Sequence, residues 1–277
     1  MNLIPAVAVV LVLGLAESSA TAQRPAAPPL APEQAELLAQ ARHAALAYSA
    51  SLPDFICTQV VHRTEYPRGD NRGRMLDTLT VKLTYFEHHE EYKLMLINGR
   101  ATLLDYFNTG GALSTGEFGS RLLAVFHSHS AAEFSWKGPA RLRKRKVSVF
   151  SYRVPKETSS FRLQFGQVPV GPNNIVAAYR GEVFVDEETH SVLRLTQQAE
   201  IPAGFPISAN ASEIDYDYAP VGGKPFLLPV RAHVTTRSGS YKAENDVEFK
   251  EYRKFNTEAT ISFGTEDEKP KSPDPKK

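Results

Sequence analysis

The chain has 277 residues, and its 32 Lys and Arg against 31 Asp and Glu leave a formal net charge of +1. A charge this small gives no general attraction to nucleic acid or to an anionic membrane surface. Hydrophobic residues make up 42% and aromatic residues 10%, which is enough for a substantial core. The length and composition predict one large domain between two short flanking segments.

The N-terminus has the pattern of a signal peptide. An apolar run over residues 3–15 is too short to cross a bilayer comfortably, and Ala-Thr-Ala at 20–22 supplies a small-x-small cleavage pattern. We therefore predict that residues 1–22 are removed by cleavage between Ala22 and Gln23. This places the mature protein in the periplasm or outside the cell, with no transmembrane span. The first residues contain no Lys or Arg, which leaves a retained membrane anchor as the alternative.

Composition also sets the domain limits. Residues 23–31 are rich in Pro and Ala and are predicted to form an extended linker, and residues 265–277 are predicted to be a disordered polar tail. Residues 32–264 remain for a single β-rich domain. Cys57 is the only cysteine, so an internal disulfide and a Cys-rich metal site are both excluded. We interpret it as a small apolar residue on a strand, with a reactive or intermolecular thiol as the alternative.

Two helices are predicted. The first begins at Pro32, a first-turn position where a missing N–H is harmless, and ends before Pro53. Its apolar residues share one helical face: Leu37, Leu38, Ala41, Ala45 and Tyr48. The second follows a glycine-rich loop at 108–119, where Ser114 and Glu117 have the spacing of a capping box. It is predicted over residues 118–126 and should cover part of one sheet face.

The clearest β signal is a hairpin over residues 179–200. Val183 and Val185 alternate with Glu182 and Asp186, and Leu193 and Leu195 alternate with polar residues after a polar turn at 186–189. Further strands are predicted at 55–65, 77–86, 91–97, 132–142, 146–154, 161–165, 213–218, 226–234 and 241–255. Because nearly all the links are short, the pairing should be antiparallel. We predict a mainly β (α+β) fold: a large, strongly curved antiparallel sheet or half-barrel with an N-terminal helix and a short mid-chain helix.

Three segments carry a resemblance to a known family: GPARLRKRKVSVFSYRVP at 138–155, GEVFVDEETHSVLRL at 181–195 and IDYDYAPVGGKPFLLPVRAHV at 214–234. In pattern they resemble the periplasmic lipoprotein carriers of the LolA/LolB-like superfamily, over roughly residues 33–263. The chain is still more similar to a group of uncharacterised exported bacterial proteins that share the phrases DYDY, PFLLP and YRKF. The resemblance implies an open half-barrel that helices close on one side. It assigns none of the arginines of this chain to the position that holds the carriers' lid.

The resemblance also implies a non-catalytic envelope protein that holds a lipid, an acyl chain or a lipoprotein in an apolar groove. Apolar residues at candidate groove and lid positions are Phe226, Leu228, Val230, Leu122 and Phe126. A sheet interior already filled by Tyr and Phe is the alternative. It would make the protein an interaction or structural module that docks an envelope protein partner. A hydrolase is the third and less favoured possibility.

The remaining motifs do not indicate a metal site, a nucleotide site or a catalytic site. His127 and His129 would share a strand face and could bind zinc with His88 or His89, but the spacing fixes no ligand set and solvated histidines are the better interpretation. The glycine-rich loop has neither the Walker lysine nor dinucleotide spacing, and no Gly-x-Ser-x-Gly elbow occurs. The acidic residues at 87–91 and 213–217 and the basic run at 141–146 fit solvated turns and faces. We predict no catalytic residue, no metal and no cofactor.

Overall fold

The computed structural model describes residues 29–67, 72–113, 115–116, 118–166 and 174–255. Its centre is one open, entirely antiparallel sheet of eleven strands, in the order β4-β3-β2-β1-β13-β12-β11-β10-β9-β6-β5. The sheet does not close on itself, which confirms the predicted half-barrel class. Strands β7 and β8 form a separate two-stranded sheet.

The strand bounds agree closely with the alternation in the sequence. Strands β1 to β6 span Phe55–Tyr66, Arg74–Phe86, His89–Ile97, Arg100–Ala101, Glu133–Leu142 and Arg145–Val154. Strands β7 to β10 span Arg162–Gln164, Asn174–Val176, Ala178–Asp186 and Val192–Glu200. Strands β11 to β13 span Ala209–Val221, Lys224–Ser238 and Tyr241–Lys254.

Both predicted helices are present. Helix α1 spans Pro32–Ser51, and its residues Leu38, Ala41 and Ala45 are buried. Helix α2 spans Gly119–Phe126 and buries Leu122, Val125 and Phe126 in the same core. Both helices therefore cover one face of the sheet, as the apolar stripe of α1 predicted. None of the helices among the described residues is long and apolar enough to cross a membrane.

A continuous row of apolar side chains fixes the strand register. Residues on the helix-covered face pair directly with one another from β5 to β3, in the order Trp136, Phe150, Val183, Leu195, Ile214, Ala232, Val247, Val61, Leu79 and Ile97. The eight inner members are each no more than 4% exposed. Because a one-residue slip would turn a strand's whole apolar set to the solvent, this row holds ten strands in one register.

The paired strands among the described residues contain six register shifts, and one of them lies in β12. Val230 is the extra residue of a bulge in β12, since Asp215 pairs with Arg231 while Tyr216 pairs with Pro229. Pro229 predicted such a bulge or an edge, and the bulge is confirmed. Asp186, which the sequence predicts at the start of the polar turn, is only 1% exposed. Its carboxylate folds back onto the hairpin turn, where backbone N–H groups and Arg145 bind it.

Several predictions concern residues outside the described ranges. The signal peptide at 1–22, residues 23–28 of the linker, the capping-box pair Ser114 and Glu117, and the tail at 265–277 all belong to this group.

Candidate functional site

The helix-covered face is filled by aromatic rings around Phe118, the residue before α2. Its ring lies 5.2 Å from that of Phe55 and 5.3 Å from that of Phe249, measured between centroids. Phe55 in turn stacks on Tyr85 with the centroids 5.1 Å apart. Such ring pairs add stabilisation beyond the area they bury, so this part of the face is packed core and not an open groove.

Helix α2 is attached to its surroundings by a few polar contacts. The Tyr179 hydroxyl donates to the carbonyl oxygen of Ala124 at 2.7 Å, and the Ser130 hydroxyl donates to that of Val125 at 2.8 Å. Burial raises the pKa of Tyr179 to about 12, although the positive charge of Arg121 opposes the rise. The Tyr179 hydroxyl therefore stays protonated and available as a donor at neutral pH.

A small apolar cavity of about 190 Å³ lies between α1, α2 and the strand ends near Val192. Its lining includes Ala45, Tyr48, Leu122 and Phe226. The Tyr48 hydroxyl is buried and has no hydrogen-bond partner among the described residues, and burial holds its pKa well above the ordinary value. We call this space the apolar cavity.

The five predicted groove residues lie in different surroundings. Leu122 and Phe226 line the apolar cavity. Phe126 and Leu228 are fully buried in the core, and Val230 is the half-buried bulge residue of β12. The structure thus brings two of the five together at one space. A ligand groove formed by all five stays a prediction.

A second space, of about 340 Å³, lies on the other side of α2 between that helix, residues 160–163 and strands β10 to β12. Its polar lining residues include Arg121, Gln197, Asn210 and Ser212, and its apolar ones include Phe161. Gln197 is 5% exposed, and its Nε2 atom has no hydrogen-bond partner. We call this space the polar cavity.

The loop before α2 is held to the sheet by two buried polar residues. Arg63, 2% exposed, forms a two-pronged ion pair with Asp77 at 2.6 Å and donates to the carbonyl oxygen of Gly110 at 2.5 Å. Asn245, also 2% exposed, donates from Nδ2 to the carbonyl oxygen of Ala112 at 2.8 Å. These contacts fix one wall of the polar cavity region against β1 and β13.

The opposite, uncovered face of the sheet carries a wide polar trough of about 930 Å³. Acidic and basic side chains of five strands line it, among them Glu133, Arg153, Arg180, Glu213 and His233. Ion pairs cross this face, including Arg153 with Glu200 at 2.7 Å and Arg194 with Asp215 at 2.6 Å. Since the charges are mixed and largely paired, the trough is a hydrated surface without a dominant sign.

The structure also bears on the cysteine and the histidines for which the sequence left a reactive thiol and a zinc site open. Cys57 is 1% exposed, and burial raises the pKa of its thiol, so it has the environment of a structural cysteine and not of a reactive thiolate. No group of three His, Cys, Asp or Glu side chains within the described ranges could hold a metal ion. His127 instead accepts a hydrogen bond at Nδ1 from the backbone N–H of His129.

Sequence reasoning missed Arg63, Arg121 and Gln197, although Gln197 carried a usable signal. It continues the period-two series of Leu193 and Leu195 in β10, so it had to lie on the apolar face. A polar residue at such a position needs a partner or a reason. Arg121 carries no such signal, because a helix of eight residues is too short for its sequence pattern to show which side chains face a cavity.

No protein-family model and no curated protein matches the chain. Several solved structures are similar to it. One is a DUF1329 family protein from Desulfovibrio piger, with 8% identity, 80% of this chain and 93% of that chain covered, and a TM-score of 0.39. A putative outer membrane lipoprotein-sorting protein domain from Vibrio parahaemolyticus has 13% identity, 82% and 93% coverage, and a TM-score of 0.37. A LolA superfamily protein from Nitrosomonas europaea has 6% identity, 80% and 93% coverage, and a TM-score of 0.31.

Proposed function

We propose that the protein is a non-catalytic binding protein of the cell envelope that holds a lipid or another apolar ligand under α2. The observation that carries the proposal is the apolar cavity, which Leu122 of α2 and Phe226 of β12 both line. Seven of its ten lining residues are apolar, and within the described part of the chain the buried hydroxyl of Tyr48 has no partner, a combination of apolar walls and few polar groups that is common in small-molecule sites.

The size of the apolar cavity sets a condition on this function. A cavity of about 150 Å³ accommodates a benzene-sized molecule, so about 190 Å³ cannot hold a whole acyl chain. Helix α2 lies between the apolar cavity and the polar cavity, and few polar contacts attach it. If α2 moves outward, the space under its buried Leu122, Val125 and Phe126 joins the two cavities. We therefore assign to α2 the role of a lid.

A fluorescent fatty acid tests the proposal. The wild-type protein should take up the probe at micromolar concentration, and native mass spectrometry of gently purified protein should show bound lipid. Ala45→Leu fills the apolar cavity from α1 and should reduce uptake by about tenfold, which corresponds to losing roughly 1.4 kcal/mol of binding. Ala47→Leu, at an exposed position of the same helix, is the matched control and should leave uptake unchanged.

A second candidate function is an interaction module that docks an envelope protein on the polar trough. The packed rings around Phe118 favour it, because they fill the part of the helix-covered face that they occupy. The same experiment separates the two functions. Bare protein in the mass spectrum, together with no uptake of the probe, would reject lipid binding and make the interaction module the leading account.

A further inference from the structure

A polar row runs across the helix-covered face beside the apolar row. Gln197 pairs with Ser212, Ser212 with Val234, Val234 with Asn245 and Asn245 with Arg63. At one end, Arg63 and Asn245 use their donors to hold the loop at 110–112. At the other end, Gln197 and Ser212 border the polar cavity.

The amide of Gln197 is the unexplained group in this row. Its side chain is nine-tenths buried or more, lines the polar cavity, and leaves Nε2 without a partner. A buried donor without an acceptor costs free energy, so its presence beside a cavity calls for a reason, such as an acceptor that binds there. Gln59 of β1 also has an unpaired buried amide, but it does not line the cavity and packs between Val81 and Phe249 on the neighbouring strands.

A positive charge lies in the same space. The guanidinium group of Arg121 lines the polar cavity, donates to the carbonyl oxygen of Thr115 at 2.9 Å and lies 5.4 Å from the centre of the Phe161 ring. None of the ion pairs formed by described residues includes Arg121. The nearby carboxylate of Glu90 does not line the polar cavity and accepts a hydrogen bond at 3.0 Å from the N–H of Gly116, which does.

We propose that the polar cavity binds the carboxylate end of a small carboxylic acid. The carboxylate would accept hydrogen bonds from Gln197 Nε2 and from the guanidinium group of Arg121, and charge-assisted bonds of this kind are the strongest available in a protein. The apolar part of the ligand would lie against Leu113, Leu163 and Val234, which also line the space. At about 340 Å³, the space is roughly twice the size of a benzene-binding cavity, which suits a chain of about six carbons.

This site goes beyond the proposed lipid function and does not depend on it. The polar cavity already exists with α2 in place, so no lid movement is needed to fill it. Filling the apolar cavity by Ala45→Leu should leave carboxylate binding unchanged. Failure of the carboxylate site and failure of the lipid function are therefore separate experimental results.

Isothermal titration calorimetry with hexanoate and with hexan-1-ol tests the proposal on the whole mature protein. Hexanoate should bind, and the alcohol of equal length should bind at least about tenfold more weakly, because it lacks the charge that Arg121 attracts. Arg121→Gln should weaken hexanoate binding by a similar factor, and Arg121→Lys should keep part of it because the positive charge remains. Gln197→Leu should weaken it by about fivefold or more.

Gln59→Leu is the matched control, since it removes another buried amide without a hydrogen-bond partner among the described residues, away from the cavity. It should not change hexanoate affinity, and the melting temperature of each variant shows whether the variant is folded. Equal binding of hexanoate and hexan-1-ol, or unchanged hexanoate affinity in folded Arg121→Gln, would overturn the proposal. So would the absence of heat with wild-type protein at about 10 mM hexanoate, a concentration tenfold above the weakest Kd, about 1 mM, at which the site would count as specific.

Discussion

Gly181 of β9 lies so close to Thr196 of β10 that a β-carbon on Gly181 would stand 1.9 Å from the Thr196 carbonyl oxygen. That oxygen also accepts a hydrogen bond from the hydroxyl of Tyr152 at 2.8 Å, and the Thr196 hydroxyl accepts one from the N–H of Glu182. The close approach explains why the hairpin segment GEVFV begins with glycine. Neither strand can move away without breaking its ladder.

Gly181→Ala should therefore lower the free energy of unfolding by about 3 kcal/mol, as expected for a substitution that forces a backbone shift in a packed sheet. Urea denaturation measures this change. Gly204→Ala is the control, because Gly204 has open space around it and only its positive φ of 87° opposes a side chain. It should cost about 1 kcal/mol. Equal costs for the two variants would contradict the close approach.

Leu195 lies in the middle of the apolar row, paired with Val183 on one side and Ile214 on the other, and is 1% exposed. Leu195→Asp should cost roughly 4 kcal/mol or more, because it places a charge in the core without a partner. Gln198→Asp, at an exposed position of the same strand, should stay within about 0.5 kcal/mol of wild type. Unchanged stability of Leu195→Asp would mean that the register of β10 is inverted.

Removing one partner of the Arg63–Asp77 ion pair should lower the free energy of unfolding strongly, whereas replacing both partners by apolar residues should lower it much less. Arg63→Met leaves the Asp77 carboxylate buried without its partner and should cost about 3–5 kcal/mol. The double variant Arg63→Met with Asp77→Leu should recover most of that loss, since apolar pairs often substitute for buried ion pairs. Both variants should speed amide hydrogen exchange at 110–112, because the bond to the Gly110 carbonyl is gone in each. A double variant no more stable than Arg63→Met would refute this account.

Acid should weaken the fold through Asp186. Burial raises the pKa of its carboxyl, but hydrogen bonds from Thr189, Arg145 and Glu188 outweigh burial and hold the pKa below its ordinary value. A depressed folded-state pKa contributes stability that is complete above the unfolded pKa of about 3.9 and is lost as the pH falls through the folded value. Urea midpoints between pH 6 and pH 2.5 should fall less steeply for Asp186→Asn than for wild type. Parallel curves would assign the acid sensitivity to other groups.

If the protein is exported, its mature form should begin at one defined N-terminal residue. N-terminal sequencing of the protein recovered from the envelope or the medium of a bacterial host should begin at Gln23, the residue after the Ala-Thr-Ala pattern. Ala22→Leu should block processing because the cleavage site requires a small residue. An intact Met1 on protein in the soluble cytosolic fraction would end the export prediction.

Much of the sheet could be predicted from the sequence, because the alternation of apolar and polar residues can be recognised within each strand on its own. Period-two alternation identified Val183, Val185, Leu193 and Leu195 as core residues, and each is no more than 2% exposed. The Pro at 32 and the Pro at 53 bracket α1, whose observed end is Ser51. The burial of the Asp186 carboxylate escaped prediction, because it depends on the donors that Arg145 and the turn N–H groups offer.

The candidate site was far less accessible to sequence reasoning. Arg121 and Gln197 are 76 positions apart by their numbering, and only the fold brings them to the lining of one space. The predicted groove residues were chosen by apolar character alone, and that property does not separate a lining residue such as Phe226 from a packed one such as Leu228.

The pairing of β1 with β13 has a consequence for synthesis. The first and last strands lie side by side in the centre of the sheet, and residues as distant as Phe55 and Lys254 are direct partners. Until the ribosome has made Tyr241 and the residues after it, β1 and β12 each have an unpaired edge, and contacts between such distant segments form slowly. The sheet therefore cannot be completed before β13 has been synthesised. A chaperone that shields the free edge of β1 would have to stay bound until then.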